Sequence, residues 1–412
     1  MLVDLPRRWR WVLGACCSVV VVIALLFVVF GRPEAPDARV VAAAAAPIVE
    51  AATFDVALPE PMLAASATAD ADAHGTDEVQ VCGGAWVKTE ADGSLAAAEI
   101  ERATNAPQTR ERIVASLRAS GSEFSQASAL LLEMLRSEDQ QHIADALARR
   151  AAGTSDPKVY ALAFKVCSDK RAGEGACRLL SAEQWARLDP DNASPWKFIL
   201  EAASARKDIA AQDDALFHLA SARRNETGFF SVAAAVLDAM PDSEATRFAT
   251  LATVTDAIGF EAATSLSGLQ SVITACRDAS RDASRAQTCS AVAEVLAERS
   301  DTFLDAMIGA SLGKRMGWPA DRIDRRRGEV AAYLAQMSEA STAAVSDFGC
   351  AALDREMTLV RRNAALGEVG AMRAWAAASG KQPEDFIREE RSRQQRVEQA
   401  AAASAAASNA SN

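Results

Sequence analysis

Histidine and tyrosine are nearly missing from this 412-residue chain, at three and two copies, and all aromatic residues together reach 6%. Three scattered histidines (His74, His142, His218) cannot form a His-rich metal site. Little Tyr, and no sustained alternation of β-branched with polar residues, argue against a large sheet. Glycine (21) and proline (13) are too sparse for a collagen-like or wholly disordered chain. Positive charge is in deficit, with 44 Lys+Arg against 55 Asp+Glu and a formal net charge of -11. Nucleic acid and anionic lipid surfaces both require a basic face, so neither is an expected partner. No phosphate-cradling glycine loop, dinucleotide fingerprint, H-E-x-x-H or C-x-x-C occurs in the sequence. The expectation is a chain with no cofactor, no metal and no catalytic residue.

One long apolar run is present. Trp11 to Phe30 carries no charge, and at 1.5 Å rise per residue its 20 residues match the bilayer hydrocarbon thickness. Arg7, Arg8 and Arg10 precede it, and Trp9 and Trp11 stand where an interfacial aromatic belt would lie. The positive-inside rule then keeps residues 1–10 in the cytoplasm and exports the rest. The run is too long for a cleaved signal peptide, and Gly31-Arg32-Pro33-Glu34 follows it instead of a small-x-small site. Leu13-Gly14-Ala15-Cys16 looks like a lipoprotein box, but almost all of the apolar stretch follows the Cys rather than preceding it. The reading is an uncleaved transmembrane helix at 11–30 and a single-pass bacterial inner-membrane protein. Residues 31–75, with Pro33, Pro36, Pro47, Pro59 and Pro61, read as an Ala/Pro-rich tether. Its root-mean-square span is roughly 35–40 Å by flexible-chain scaling.

Six cysteines follow the tether: Cys82, Cys167, Cys177, Cys276, Cys289 and Cys350. An even number in an exported domain points to disulfides, with 15 pairings open. Cys167 and Cys177 are ten residues apart, and Cys276 and Cys289 thirteen. In both pairs an apolar helical pattern runs into the first Cys and out of the second. That suits a staple across the turn of a helical hairpin, the first Cys ending one helix and the second opening the next. Cys82 then pairs with Cys350 by elimination. Each short bridge is worth about 3 kcal/mol in the chain-entropy picture.

From about Glu90 to Val397 the apolar period is helical, and alanine, the best helix former, is more than a fifth of the whole chain. Ser155-Asp156-Pro157, Ala193-Ser194-Pro195, Met240-Pro241 and Gln382-Pro383 mark helix starts, since Pro is harmless in the first turn. Gln80 to Val87 is the one strand-like stretch, expected as an extended arm anchored by Trp86. Arg325-Arg326-Arg327, among Asp321, Asp324 and Glu329, reads as a solvated helix face. Asp347-Phe348-Gly349 lacks every companion of the kinase motif it looks like and is a coincidence. The residues after 397 form a low-complexity tail.

A shift of 38 residues sets Pro157 on Pro195, Tyr160 on Phe198 and Leu162 on Leu200. Leu188-Asp189-Pro190-Asp191-Asn192 stands at the repeat boundary, Trp196 at an early aromatic position, Lys207-Asp208 at the turn and Ala215 in the second helix. Over about 155–225 the chain thus resembles a tetratricopeptide-type repeat. Lys207 stands where that family has Gly, and Ala203 where it has Tyr. The resemblance implies an all-α solenoid of helical hairpins whose concave surface binds a protein or peptide segment, without catalysis. The expected organisation is a cytoplasmic tail at 1–10, the span at 11–30, the tether at 31–75, a periplasmic helical repeat domain at 76–397 and a tail at 398–412. The expected role is a protein-interaction or assembly scaffold in the envelope. The alternative is a peptidoglycan-active hydrolase; Glu123-Phe124-Ser125 is the nearest approach to the Glu-Ser element of lytic transglycosylases, and their Gly-Leu-Met-Gln element is missing. Two facing carboxylates in a cleft would favour that alternative.

Overall fold

The computed structural model describes residues 78–88, 104–168, 173–241, 243–277, 282–344, 349–382 and most of 384–399. The expected span at 11–30, the tether and the tail from residue 400 lie outside the described residues. Among the described residues no helix is long and apolar enough to cross a membrane. Among the described residues the architecture is all-α, with fourteen α-helices and one two-stranded sheet.

The helices are α1 (Ala106–Ala119), α2 (Glu123–Met134), α3 (Gln140–Ala152), α4 (Pro157–Cys167), α5 (Ala182–Leu188), α6 (Ser194–Ala205) and α7 (Ile209–Ser221). They continue as α8 (Ser231–Asp238), α9 (Glu244–Ser265), α10 (Leu269–Arg277), α11 (Ala283–Arg299), α12 (Phe303–Arg315), α13 (Ala320–Ala344) and α14 (Cys350–Ala378). Side-chain caps set half of the starts among the described residues. Asp156 accepts from Lys158 N ahead of Pro157, and Ser122, Asp139, Ser181, Asp208 and Thr302 cap α2, α3, α5, α7 and α12 in the same manner. Pro195 sits in the first turn of α6. Pro241 does not start a helix; α9 begins at Glu244 behind Ser243.

The two hairpins α4–α5 and α6–α7 follow one another, but they are unequal. Residues 168–181 join the first pair and residues 206–208 the second. Lys207 takes the left-handed conformation at φ 57, and Asp208 N donates to Ala203 O at 3.0 Å, closing the helix end. Two large apolar clusters fill the interior. The first draws on α1–α5, α8, α9 and α14, with Trp185, Tyr160 and Leu131 at its centre. The second joins α6, α7 and α10–α12 around Cys276–Cys289. A third, smaller cluster joins α12, α13 and α14 to Phe386.

The disulfides are Cys82–Cys350, Cys167–Cys177 and Cys276–Cys289, with Cα separations of 4.6, 5.3 and 5.6 Å. The local geometry departs from the expected staple. Cys177 lies in a short 3-10 helix (Gly175–Leu179), and Cys289 lies inside α11 rather than at its start. Asp282 caps the amides of Ser284 and Arg285, so α11 begins within the polar stretch that reads as a turn. The expected N-terminal arm closes into a hairpin, β1 (Glu78–Gln80) with β2 (Trp86–Lys88), because Gly83 and Gly84 take φ of 93 and 83 at its turn. Its anchors are Val81, Cys82 and Val87 against Phe248 and Leu353; Trp86 is half-buried. Arg326 is a second departure. It is buried and pairs with Glu298 and Glu329, while Arg325 and Arg327 stay at the surface beside Asp321 and Asp324. The middle arginine faces α11, and the expected solvated face holds only for its neighbours.

Helix α14 is broken at Gly367 (φ 70), where an added Cβ would meet Asp301 Cα and O at 2.8 Å. Replacing Gly367 with Ala is expected to cost at least about 2 kcal/mol, left-handed strain plus a backbone clash. Lys207→Gly relieves the same strain and is expected to gain about 0.5–1 kcal/mol. Urea unfolding midpoints check both signs.

Candidate functional site

Three connections between helices and the kink within α14 lie side by side and form a polar seam through the apolar body. The backbone builds it first. Ala193 N donates to Arg224 O (2.9 Å), Asn225 N to Arg299 O (2.9 Å), Asp301 N to Asn225 O (3.1 Å) and Glu368 N to Asp301 O (2.7 Å). The segments around 192, 225, 301 and 368 are thereby joined in series. Their side chains complete the bonding. Asn192 Oδ1 accepts from Ser194 N and Glu226 N, both at 3.0 Å. Asn225 Nδ2 donates to Ser300 Oγ (2.7 Å) and Asp305 Oδ2 (2.6 Å). Asp301 Oδ2 accepts from Thr227 N and Gly228 N at 2.8 and 2.9 Å.

Charges are buried along this seam. Lys197, on α6, meets Asp305, on α12, at 3.0 Å with both side chains at most 2% exposed. Lys165, on α4, donates to the Thr227 carbonyl. Glu261, on α9, accepts from Val232 N at 2.7 Å at the start of α8, where the helix dipole favours an anion. Glu368, on α14, accepts from Phe303 N (2.9 Å) and from the Tyr333 hydroxyl (3.0 Å). Burial moves the protonation of these groups. It pushes Glu261 up to about 8, Glu368 up to about 7 and Asp301 up to about 6, and it pulls Lys165 down to about 8.

A cleft opens onto the seam between α2, α4, α5, α8 and α9. It is a small recess open to solvent, and an adjoining part is lined by Lys197 and Ser194. Lys165, Trp185, Thr227 and Thr264 line both parts. Phe124, Leu162 and Phe260 line the outer part, together with Glu261 and Asp189. Trp185, Phe164 and Phe198 pack as an aromatic trio with ring centroids 5.1–5.9 Å apart. Trp185 Nε1 and Glu261 Oε2 are buried and, among the described residues, find no hydrogen-bond partner. Asp189 is held by Arg224 and by Asn192 Nδ2 at 2.9 Å.

Of the residues singled out from sequence, Phe124, Pro157, Leu162, Asp189 and Asn192 line the cleft; Glu123, the histidines described and the cysteines do not. Glu123 accepts from the Thr154 hydroxyl at 2.6 Å, a structural bond between α2 and the end of α3. His142 is exposed on α3. His218 stacks on Trp196 with centroids 3.9 Å apart, beside Asp214 at 3.8 Å. The six cysteines are all bridged. Among the described residues no group of three or more His, Cys, Asp or Glu could hold a metal ion. Sequence reading missed Lys165, Lys197, Glu261 and Asp301, because charges inside helical patterns read as solvent-facing. Lys165 stands within the apolar run Ala161-Leu162-Ala163-Phe164-Lys165-Val166, which was the available signal.

Removing one partner of a buried ion pair leaves the other uncompensated. Lys197→Met is therefore expected to cost about 3–5 kcal/mol, and Lys197→Met with Asp305→Leu to recover most of that loss; calorimetry on the two variants decides it. The buried carboxylates set a pH dependence. Asp301, Glu368 and Glu261 hold their protons more tightly folded than unfolded, so their contribution is complete below the unfolded carboxylate range near pH 4. It is lost as pH rises through about 6, 7 and 8 in turn. Lys165 acts in the other direction, adding stability only as pH rises above about 8. The unfolding midpoint is expected to fall between pH 5 and pH 8, and Glu368→Gln to flatten that slope.

Comparison of this chain with protein-family models, with curated proteins and with solved structures finds no match.

Proposed function

We propose that the protein is a single-pass inner-membrane protein of a Gram-negative bacterium. Its N-terminus is cytoplasmic, and its helical body works in the periplasm as a protein-interaction or assembly scaffold. The span at 11–30 and the six exported cysteines support the location. The repeat-like hairpins, read as tetratricopeptide-type, support the role.

The observation that carries the role is a pair of exposed apolar side chains on α7. Ile209 in its first turn and Phe217 near its end are 58% and 62% exposed, while Leu216 and Leu219 of the same helix are buried. Large apolar side chains held outward on a rigid hairpin are what a partner surface requires. The Trp196–His218 stack flanks them. A photo-crosslinking amino acid at position 217, in living cells, is expected to give a discrete adduct with one periplasmic or membrane protein, and Ile209→Asp to reduce that adduct about ten-fold or more. A smear of unrelated products, or an adduct indifferent to Ile209→Asp, contradicts the scaffold reading at this surface.

A peptidoglycan-active hydrolase is the second reading, and Glu261 favours it. Burial keeps this cleft carboxyl protonated at neutral pH, the form a glycosidic general acid needs. Against it, Asp189 is committed to Arg224 and Asn192. Cell-wall digestion by the wild type that is lost in Glu261→Gln would favour the hydrolase.

A further inference from the structure

Aromatic side chains are scarce in this chain, yet the rings of Trp196, His218 and Phe217 form one row at the surface of the α6–α7 hairpin. His218 lies flat on Trp196, with centroids 3.9 Å apart and planes at 8°, and Phe217 meets His218 edge-on at 5.6 Å. Phe217 ends the row and stands open to solvent. Helical spacing places Asp213 and Asp214 one turn ahead of Phe217, and Ala210 and Ser221 lie on the same exposed stripe.

The two carboxylates differ in what they meet. Arg285, on α11, pairs with Asp213. Asp214 is 67% exposed, and among the described residues its ionic neighbour is His218 Nε2 at 3.8 Å, beyond hydrogen-bond range. The basic groups of the hairpin are placed elsewhere. Arg206 and Lys207 stand at the α6–α7 turn, about two helical turns from Asp214. Arg223 pairs with Asp191 at 3.6 Å, and Arg224 pairs with Asp189. One open carboxylate therefore stands beside one open aromatic ring. The molecule shows elsewhere what fills such a pairing. Arg322 lays its guanidinium 3.6 Å over the Trp318 ring while bonding Glu298 at 3.2 Å. A guanidinium is flat and permanently charged, so its edge can fork a carboxylate while its face lies on a ring; an ammonium does only part of this.

We propose that this surface docks a partner protein segment through an arginine, its guanidinium forked on Asp214 and laid against Phe217, with an apolar neighbour of that arginine covering the rest of the ring. The charges are complementary at short range through Asp214 and at long range through the chain's formal net charge of -11, which favours approach of a basic segment. Ala210 and Ser221 are small, so the segment can lie along the stripe without meeting a bulky side chain. The inference rests on the scaffold reading of α7 and adds the chemistry of what α7 holds.

The test uses the purified full chain in nanodiscs with ¹³C-labelled histidine, which gives only three side-chain signals. His218 is identified by its loss in His218→Gln. The probes are short alanine-rich helical peptides with a leucine and an arginine one turn apart, and the same peptides with citrulline or lysine in place of arginine. The arginine peptide is expected to move the His218 signal saturably, with a Kd of about 1 mM or below. Citrulline keeps the shape and loses the charge, and its peptide is expected to bind about five-fold more weakly or worse; the lysine peptide is expected to lose about two-fold or more. Asp214→Asn is expected to make the arginine and citrulline peptides equal, and Phe217→Ala to weaken the arginine peptide about ten-fold. Asp321→Asn, at an exposed carboxylate on α13, is expected to change neither. These side chains are exposed, so the variants keep the fold. Equal binding of the arginine and citrulline peptides to the wild type, an equal loss in Asp321→Asn, or a His218 signal unmoved at about 5 mM arginine peptide overturns the inference. The adduct at position 217 in cells judges the scaffold reading separately. An absent adduct strikes that reading, while equal arginine and citrulline binding beside a discrete adduct strikes only the arginine.

Discussion

The structure depends on a row of inter-helix connections that bond to one another through buried backbone and carboxylate groups. Connecting segments normally run over a protein's surface, because buried loops carry polar groups that need partners. Here the partners are supplied from neighbouring connections. Asn192, Asn225, Asp301 and Glu368 each tie one segment to the next, and Lys197 and Asp305 close the centre of the row with a buried ion pair. Taking such charges out of water costs several kcal/mol each, and their attraction returns this only when the remaining bonding sites are also filled. Asn225 bonds Asp305, and the amides of residues 227, 228 and 303 bond Asp301 and Glu368, while Asp301 Oδ1 and Asp305 Oδ1 stay without a partner among the described residues.

The seam explains how helices distant in sequence share one body. α4, α6, α9, α12 and α14 each send a charged side chain into it, from Lys165 to Glu368. The two large apolar clusters lie along the same helices, so packing and polar bonding reinforce one register. The kink at Gly367 brings the α14 backbone close enough to Asp301 for Glu368 N to bond its carbonyl. Cys82–Cys350 then ties the start of the body to the start of the same helix, closing a loop of 268 residues. A bridge across so long a loop constrains the unfolded chain more than the two short ones do.

Helical class, the helix starts at Pro157 and Pro195 and the cysteine pairs were legible in the sequence because they depend on local chemistry. Asp156-Pro157 states a helix start within two residues, and Cys167 and Cys177 sit ten apart on either side of a glycine-containing turn. At the α6–α7 turn Lys207 takes a left-handed backbone that Gly would take without strain, which nothing in a lysine announces. The seam was not legible. Lys197 and Asp305 are 108 residues apart, and nothing local tells a buried lysine from an exposed one on an amphipathic helix. Arg326 misled for the same reason, since nothing in the run of three arginines tells which of them meets Glu298 on the neighbouring helix. The cleft followed suit: its donors come from α4 and α5 and its carboxyl from α9, so only the tertiary fold assembles it.

Amide hydrogen exchange under native conditions tests the seam most directly. The amides of Thr227, Gly228, Asn225, Phe303 and Glu368 lie in connections or at helix starts, places where exchange is ordinarily fast. If the seam organises the body, these amides exchange only through global unfolding, as slowly as the central amides of α4 and α11. Exchange at the rate of ordinary surface turns, with the helix centres still protected, would show that the apolar clusters hold the fold and that the seam is an accessory to them.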